Sequence, residues 1–92
     1  RTLYGAEAKY LVALQWYNAG NYASAEKEIL NFIDQSTPYA YWLARSFILL
    51  SDVYVAMDKK LDARQYLLSL QQNYQADDDI ASMINERLEK LK

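Results

Sequence analysis

Helix-breaking residues are nearly absent from this chain of 92 residues, and the few present stand where helices would have to stop. It contains two glycines and one proline, and a loop-rich or all-β fold needs many more turn-forming residues than that. Long helices joined by short turns remain. A chain of this length hides only about 60–65% of the surface its unfolded form exposes, so such helices need a rich and continuous core. The sequence supplies one, because 52% of its residues are apolar and nine tyrosines and two tryptophans carry large contact areas.

Five helical segments follow from periodicity and end signals. The first spans about 3–19 and ends at Gly20, which suits a left-handed helix terminus. Asn21 is placed to cap a second helix over 22–35, where Tyr22, Ala25, Ile29, Phe32 and Ile33 recur at helical spacing. Ser36, Thr37 and Pro38 stop it, with Thr37 and Pro38 suited to the cap and first residue of a third helix over 38–57. That helix is apolar around much of its circumference (Trp42, Leu43, Phe47, Leu49, Leu50, Val53, Tyr54, Met57), as expected of an element with neighbours on several sides. Ala40, Ala44, Ser46 and Ser51 would let those neighbours come close. Asp58 is read as the cap of a fourth helix over 59–74, with Leu61, Leu67, Leu68 and Leu70 inward. A last helix over 79–91 sets Ile80, Met83, Ile84, Leu88 and Leu91 against a polar face of Asn85, Glu86, Glu89 and Lys90. Connections this short make sequential helices antiparallel neighbours, so the unit is a helix hairpin used twice.

Composition removes several function classes. The net charge of −2 comes with acidic and basic residues interspersed, so there is no basic stripe for nucleic acid. No run approaches the roughly 20 apolar residues of a membrane span, and no membrane insertion is expected. Histidine and cysteine are both absent, which removes the commonest general base, any thiolate nucleophile and any disulfide, and leaves zinc with carboxylates alone. Gly5 and Gly20 stand singly and cannot form a phosphate cradle. The chain is therefore read as a non-enzyme with no cofactor. Asp77, Asp78 and Asp79 lack the alternating ligands and central glycine of a calcium loop, and helix capping accounts for the run, so no metal is expected. The chain begins with Arg1 and shows neither an initiator methionine nor a signal peptide, so it is expected to be a fragment of a longer protein or a processed product.

The two halves repeat one pattern. Ala13 precedes Trp16 by three positions, as Ser51 precedes Tyr54. A turn follows, then Ala25 or Ala63, then apolar residues four and seven further on: Ile29 and Phe32, or Leu67 and Leu70. This resembles the tetratricopeptide repeat, a helix–turn–helix unit of about 34 residues. The first repeat, about 6–37, has Ala13, Trp16, Gly20, Tyr22 and Ala25 in the family's slots; it departs at Lys9, and its proline is displaced to Pro38. The second, about 38–75, is looser. Asp58 stands where glycine is common, no proline closes it, and Ala63 follows Ala25 by 38 residues. The four extra residues add about one helical turn, assigned to the start of the third helix. Beyond them a capping helix over about 78–91 completes a single domain of residues 1–92. The resemblance covers about three quarters of the chain. It implies an all-α fold of antiparallel hairpins stacked as a short right-handed α-solenoid, similar to the C-terminal repeats of long bacterial proteins of this class. It points to the periplasmic side of a cell envelope; no residue of the chain fixes the compartment.

In that family the first helix of each hairpin lines a concave groove for peptides or partner helices. Matched by position, the groove would present Glu7, Tyr10, Leu14, Tyr17 and Asn18 from the first helix. The third helix would add Tyr41, Arg45, Ile48, Asp52 and Val55. Tyrosine offers stiff amphipathic contact area and arginine grips carboxylates and carbonyls. The implied function is a scaffold holding a protein or peptide, and the alternative is a structural cap closing a longer solenoid. The same residues also fit plainer readings, as packing surface or as solvent-facing surface. Tyr39, Tyr41 and Trp42 form a further aromatic cluster read first as packing. The open edge of the N-terminal hairpin is a candidate surface for self-association.

Overall fold

In the computed structural model, which describes residues 3–34 and 40–92 without the side chains of Leu3 and Tyr4, five helices and no strand are present. They are α1 (Leu3–Asn18), α2 (Tyr22–Asp34), α3 (Ala40–Ala56), α4 (Lys60–Asn73) and α5 (Ile80–Lys90). Each segment expected from periodicity is a helix; at the ends flanked by described residues the bounds differ by at most one residue, the ordinary scatter of frayed termini. The expected cap at Thr37 and Pro38, and Tyr39 of the aromatic cluster, lie outside the described residues.

Consecutive helices pack on one another, and α3 also touches α1 and α5. The helices therefore lie in two layers, α1, α3 and α5 over α2 and α4, in a body 37 × 31 × 18 Å across. α3 touches all four other helices, which explains its nearly continuous apolar surface. Two buried clusters lie on its two sides. One joins Tyr10 and Ala13 of α1 and Ala25 and Ile29 of α2 to Leu49, Leu50, Val53 and Tyr54 of α3, reaching Ala63 of α4. The other joins Ala44 and Ile48 of α3 to Leu67 and Leu70 of α4 and Ile80 and Ile84 of α5. Small residues sit where helices cross: Ala25, Ala44, Ala63, Ser46 and Ser51 are buried. Both serines satisfy their hydroxyls within α3, Ser46 Oγ donating to the Trp42 carbonyl and Ser51 Oγ to the Ile48 carbonyl, each at 2.9 Å. They keep the volume small without leaving a buried donor unpaired.

The two hairpin turns are built alike. At the end of α1 the Asn21 N–H donates to the Trp16 carbonyl at 2.9 Å and the Gly20 N–H to the Tyr17 carbonyl at 3.0 Å, with Gly20 at φ +79°. At the end of α3 the Lys59 N–H donates to Tyr54 at 2.7 Å and the Asp58 N–H to Val55 at 3.1 Å, with Asp58 at φ +62°. Both closures match the Schellman pattern, which uses a left-handed residue to satisfy the last carbonyls of a helix. Asn21 also accepts the Ser24 N–H on its Oδ1 at 3.3 Å, capping α2 as expected.

Two expectations fail here. Asp58 does not cap α4; it terminates α3 in the left-handed conformation, and Lys59 takes the cap position with no side-chain bond because its ammonium carries no acceptor. Leu61, read as inward, is 82% exposed. The buried stripe of α4 runs through Ala63, Leu67 and Leu70, and a residue two positions before Ala63 lies on the far side of the helix. The strained turn gives a first prediction. Asp58→Gly relieves the left-handed backbone and is expected to stabilise the chain by about 0.5–1 kcal/mol, read as a higher Tm; an unchanged or lower Tm would contradict the strain.

Candidate functional site

Helical spacing places Glu7, Tyr10, Leu14 and Tyr17 along one side of α1, and Tyr41, Arg45, Ile48, Asp52 and Val55 along one side of α3. The structure divides these residues among three environments. Tyr10, Tyr41 and Arg45 meet in an aromatic cage. Arg45 Nη1 donates to the Tyr41 hydroxyl at 2.8 Å and Nη2 to the Tyr10 hydroxyl at 3.0 Å. Its guanidinium lies over the rings of Tyr10, Tyr41 and Trp42, at 5.0, 5.8 and 5.8 Å from their centroids. Trp42 packs on both tyrosines, at 5.4 Å from Tyr10 and edge-on at 5.1 Å from Tyr41, so the packing reading describes the described part of this cluster. The Tyr41 hydroxyl donates onward to Asp79 Oδ1 at 2.9 Å, tying α3 to the entry of α5. Burial opposes the charge on Arg45, and the two phenol hydrogen bonds more than offset that, so its pKa is raised.

Ile48 is in the second environment, the core. It is buried beneath α5 with Ile80 and Ile84. Asp52 stands at the boundary of that core, held in a bidentate pair by Arg87 of α5: Nε to Oδ1 at 2.8 Å and Nη2 to Oδ2 at 3.0 Å. Arg87 Nη1 also donates to the Met83 carbonyl at 3.2 Å. Burial pulls the Arg87 pKa down and the Asp52 carboxylate more than restores it, so its pKa is raised.

The third environment is an open groove of about 470 Å³ between the C-terminal half of α1, the end of α3 and α5. Tyr17, Asp52 and Val55 line it from the expected set, with Lys60 at the start of α4 and Arg87, Lys90 and Leu91 opposite. Val55 is 39% exposed, and Tyr17 is half-buried with its ring 5.7 Å from that of Tyr22. Of the remaining expected residues, Glu7 and Leu14 are half-buried on α1 and Asn18 is exposed. Of the expected set, Tyr17, Asp52 and Val55 thus line the open groove, while Tyr10, Tyr41 and Arg45 are tied into the aromatic cage and Ile48 lies in the core under α5.

Sequence reasoning missed Arg87, Lys60, Lys90 and Leu91. For Arg87 a signal was present. It falls on the stripe of α5 that carries Ile80, Ile84 and Leu91, and a lone cation on an apolar stripe needs a buried acid partner. Asp52 is the matching lone acid on the apolar stripe of α3.

Two residues of the aspartate run bind within the chain. Asp78 Oδ1 accepts the Ile80 N–H at 2.9 Å at the start of α5 and its Oδ2 accepts the Tyr74 hydroxyl at 2.5 Å, while Asp79 takes Tyr41. The cap residue Asp79 makes no cap bond of its own. Among the described residues no group of three or more acidic side chains is arranged to hold a metal ion.

Four phenols have raised pKa values: Tyr17, Tyr41, Tyr54 and Tyr74. Burial is the largest cause in each. Nearby carboxylates add to it: Asp52 for Tyr17, Asp79 for Tyr41, Glu26 for Tyr54 and Asp78 for Tyr74, which is pushed up to about 12. The Tyr54 hydroxyl donates to Glu26 Oε2 at 2.7 Å, joining α2 to α3. With folded values above the ordinary 10.0, these groups contribute stability that is whole below pH 10 and lost as pH rises through their folded values. The expected result is a Tm that declines above pH 10, with a shallower decline in Tyr54→Phe, measured by thermal melts alongside phenolate absorbance. A Tm independent of pH in that range would contradict it.

No family model, curated protein or solved structure matches this chain.

Proposed function

We propose that the chain is a protein-interaction module of the tetratricopeptide-like class, its hairpins stacked as a short right-handed solenoid, which holds a peptide or partner helix in the groove between α1, α3 and α5. The observation that supports this is the groove itself. Tyr17, Val55 and Leu91 provide an aromatic and aliphatic floor, while Lys60 and Lys90 stand at its rim with no ion-pair partner among the described residues. Such a mixture holds an extended or helical segment by apolar contact and fixes its polarity by charge. Arg45 takes no direct part in this reading, since the aromatic cage occupies its guanidinium.

Selection of binders from a displayed random-peptide library, followed by fluorescence polarisation on the selected peptides, tests the groove. Binding is expected to be lost in Tyr17→Ala combined with Val55→Asp, both of which change partly exposed side chains. Peptides that bind the double variant as well as the parent would overturn the assignment.

A second reading is favoured by α5, which covers the core of the second hairpin and turns Asn85, Glu86, Glu89 and Lys90 to solvent. A helix of that kind closes the end of a stack, as solenoids need for solubility. The two roles share α5, whose Lys90 also stands at the groove rim, and are compatible.

A further inference from the structure

The 38-residue offset between the hairpins allows each surface of α1 to be compared with the same surface of α3. Ala6, Tyr10 and Ala13 are buried, and so are their counterparts Ala44, Ile48 and Ser51. The neighbouring face differs sharply. Leu49, Leu50 and Tyr54 are 3%, 0% and 7% exposed, whereas Leu11, Val12 and Trp16 are 45%, 42% and 39% exposed. On α3 this face is covered by the first hairpin, with Ile29 of α2 in the shared cluster, Ile33 packed against it, and Glu26 accepting the Tyr54 hydroxyl. On α1 nothing among the described residues covers it.

We infer that the Leu11–Val12–Trp16 face of α1 is a docking surface for a helix hairpin from outside residues 1–92, whose second helix carries a carboxylate followed three and seven residues later by aliphatic side chains. That order is the one α2 presents to α3 through Glu26, Ile29 and Ile33. Trp16 stands where Tyr54 does, and its indole N–H is a donor in need of an acceptor once buried. Gln15 in place of Val53 keeps the face tolerable in water until it is covered.

A second copy of this chain has no free face with the order Glu26, Ile29 and Ile33 to offer. Its α2 face is already occupied by α3. The corresponding face of α4 carries Leu67, which lies in the cluster closed by α5, and has Arg64, a donor, where Glu26 is the acceptor. This surface is distinct from the groove at Tyr17, and its test is independent of peptide binding there.

The test is a tandem chain in which residues 2–39 are repeated ahead of Thr2 of the full chain, keeping the 38-residue register, with Trp16→Phe in the added copy. The probe is thus this protein's own α1–α2 hairpin. The expected result is a blue-shifted emission and reduced acrylamide quenching of the resident Trp16, read as the difference from the same chain carrying Trp16→Phe there so that Trp42 cancels, together with a higher Tm. Val12→Glu in the resident α1 is expected to abolish all three changes, while leaving the melt of the unextended chain nearly unaltered because Val12 is exposed there. A resident Trp16 as quenchable in the tandem chain as in the single one would overturn the inference. So would an unextended chain that sediments as a dimer with Trp16 shielded, since the occupant would then be a second copy.

Discussion

A chain ending at Tyr74 is expected to lose cooperative folding and to associate. Removing α5 takes away Ile80 and Ile84, both 1% exposed, and uncovers Ile48, Leu67 and Leu70. Burying an aliphatic side chain of this size contributes about 1.5–3 kcal/mol, so the two isoleucines alone represent about 3–6 kcal/mol. Total stability for a small domain is about 5–15 kcal/mol. The loss is therefore comparable with everything the fold has, before counting Asp52, which is left without Arg87. Circular dichroism should show a broad or absent transition, and sedimentation should show species larger than a monomer. A truncated chain that stays monomeric and melts at the parent temperature would sink the capping role of α5. Ile80→Ala separates packing from chain length: the full-length variant should lose about 2–5 kcal/mol and still melt cooperatively.

The second large effect is at Leu50, where Leu50→Ala is expected to cost about 2–5 kcal/mol. Leu50 is fully buried in the middle of α3, in the cluster where α1, α2, α3 and α4 converge. Three other helices surround the site, so it cannot collapse around the missing atoms, and the cost should fall towards the upper part of that range. For a domain of this size the Tm should drop by about 10 °C or more. Leu61→Ala is the matched control. The same chemical change at an 82% exposed position should stay within about 0.5 kcal/mol. Equal destabilisation by the two would mean that α4 sits in a different rotation from the one described.

Much of the architecture is legible in local patterns. Gly20 marks the end of α1, and the recurrence of Ala25, Ile29 and Phe32 marks the buried face of α2; these depend on one residue's φ freedom and on 3.6-residue periodicity. Misreadings arose where two local rules competed. Asp58 suits a helix cap, and it also tolerates the left-handed conformation better than most residues; the need to satisfy the last carbonyls of α3 decided between them. Leu61 looked inward because it is a leucine in a leucine-rich helix, although its angular position relative to Ala63 already argued otherwise.

By itself the sequence determined five helices, the turn at Gly20 and the 38-residue offset between hairpins, because each is written in local pattern; the left-handed turn at Asp58 was not. Only the tertiary structure decided what the stripe from Glu7 to Asp52 is. Where α5 lands turns Ile48 into core, binds Asp52 to Arg87 and draws Tyr41 to Asp79, while the groove at Tyr17 and Val55 stays open. Those pairings join residues 35 and 38 positions apart. They depend on how whole helix faces fit, and a face made of tyrosine, arginine and isoleucine packs against a neighbouring helix with the same chemistry that it would use to hold a partner.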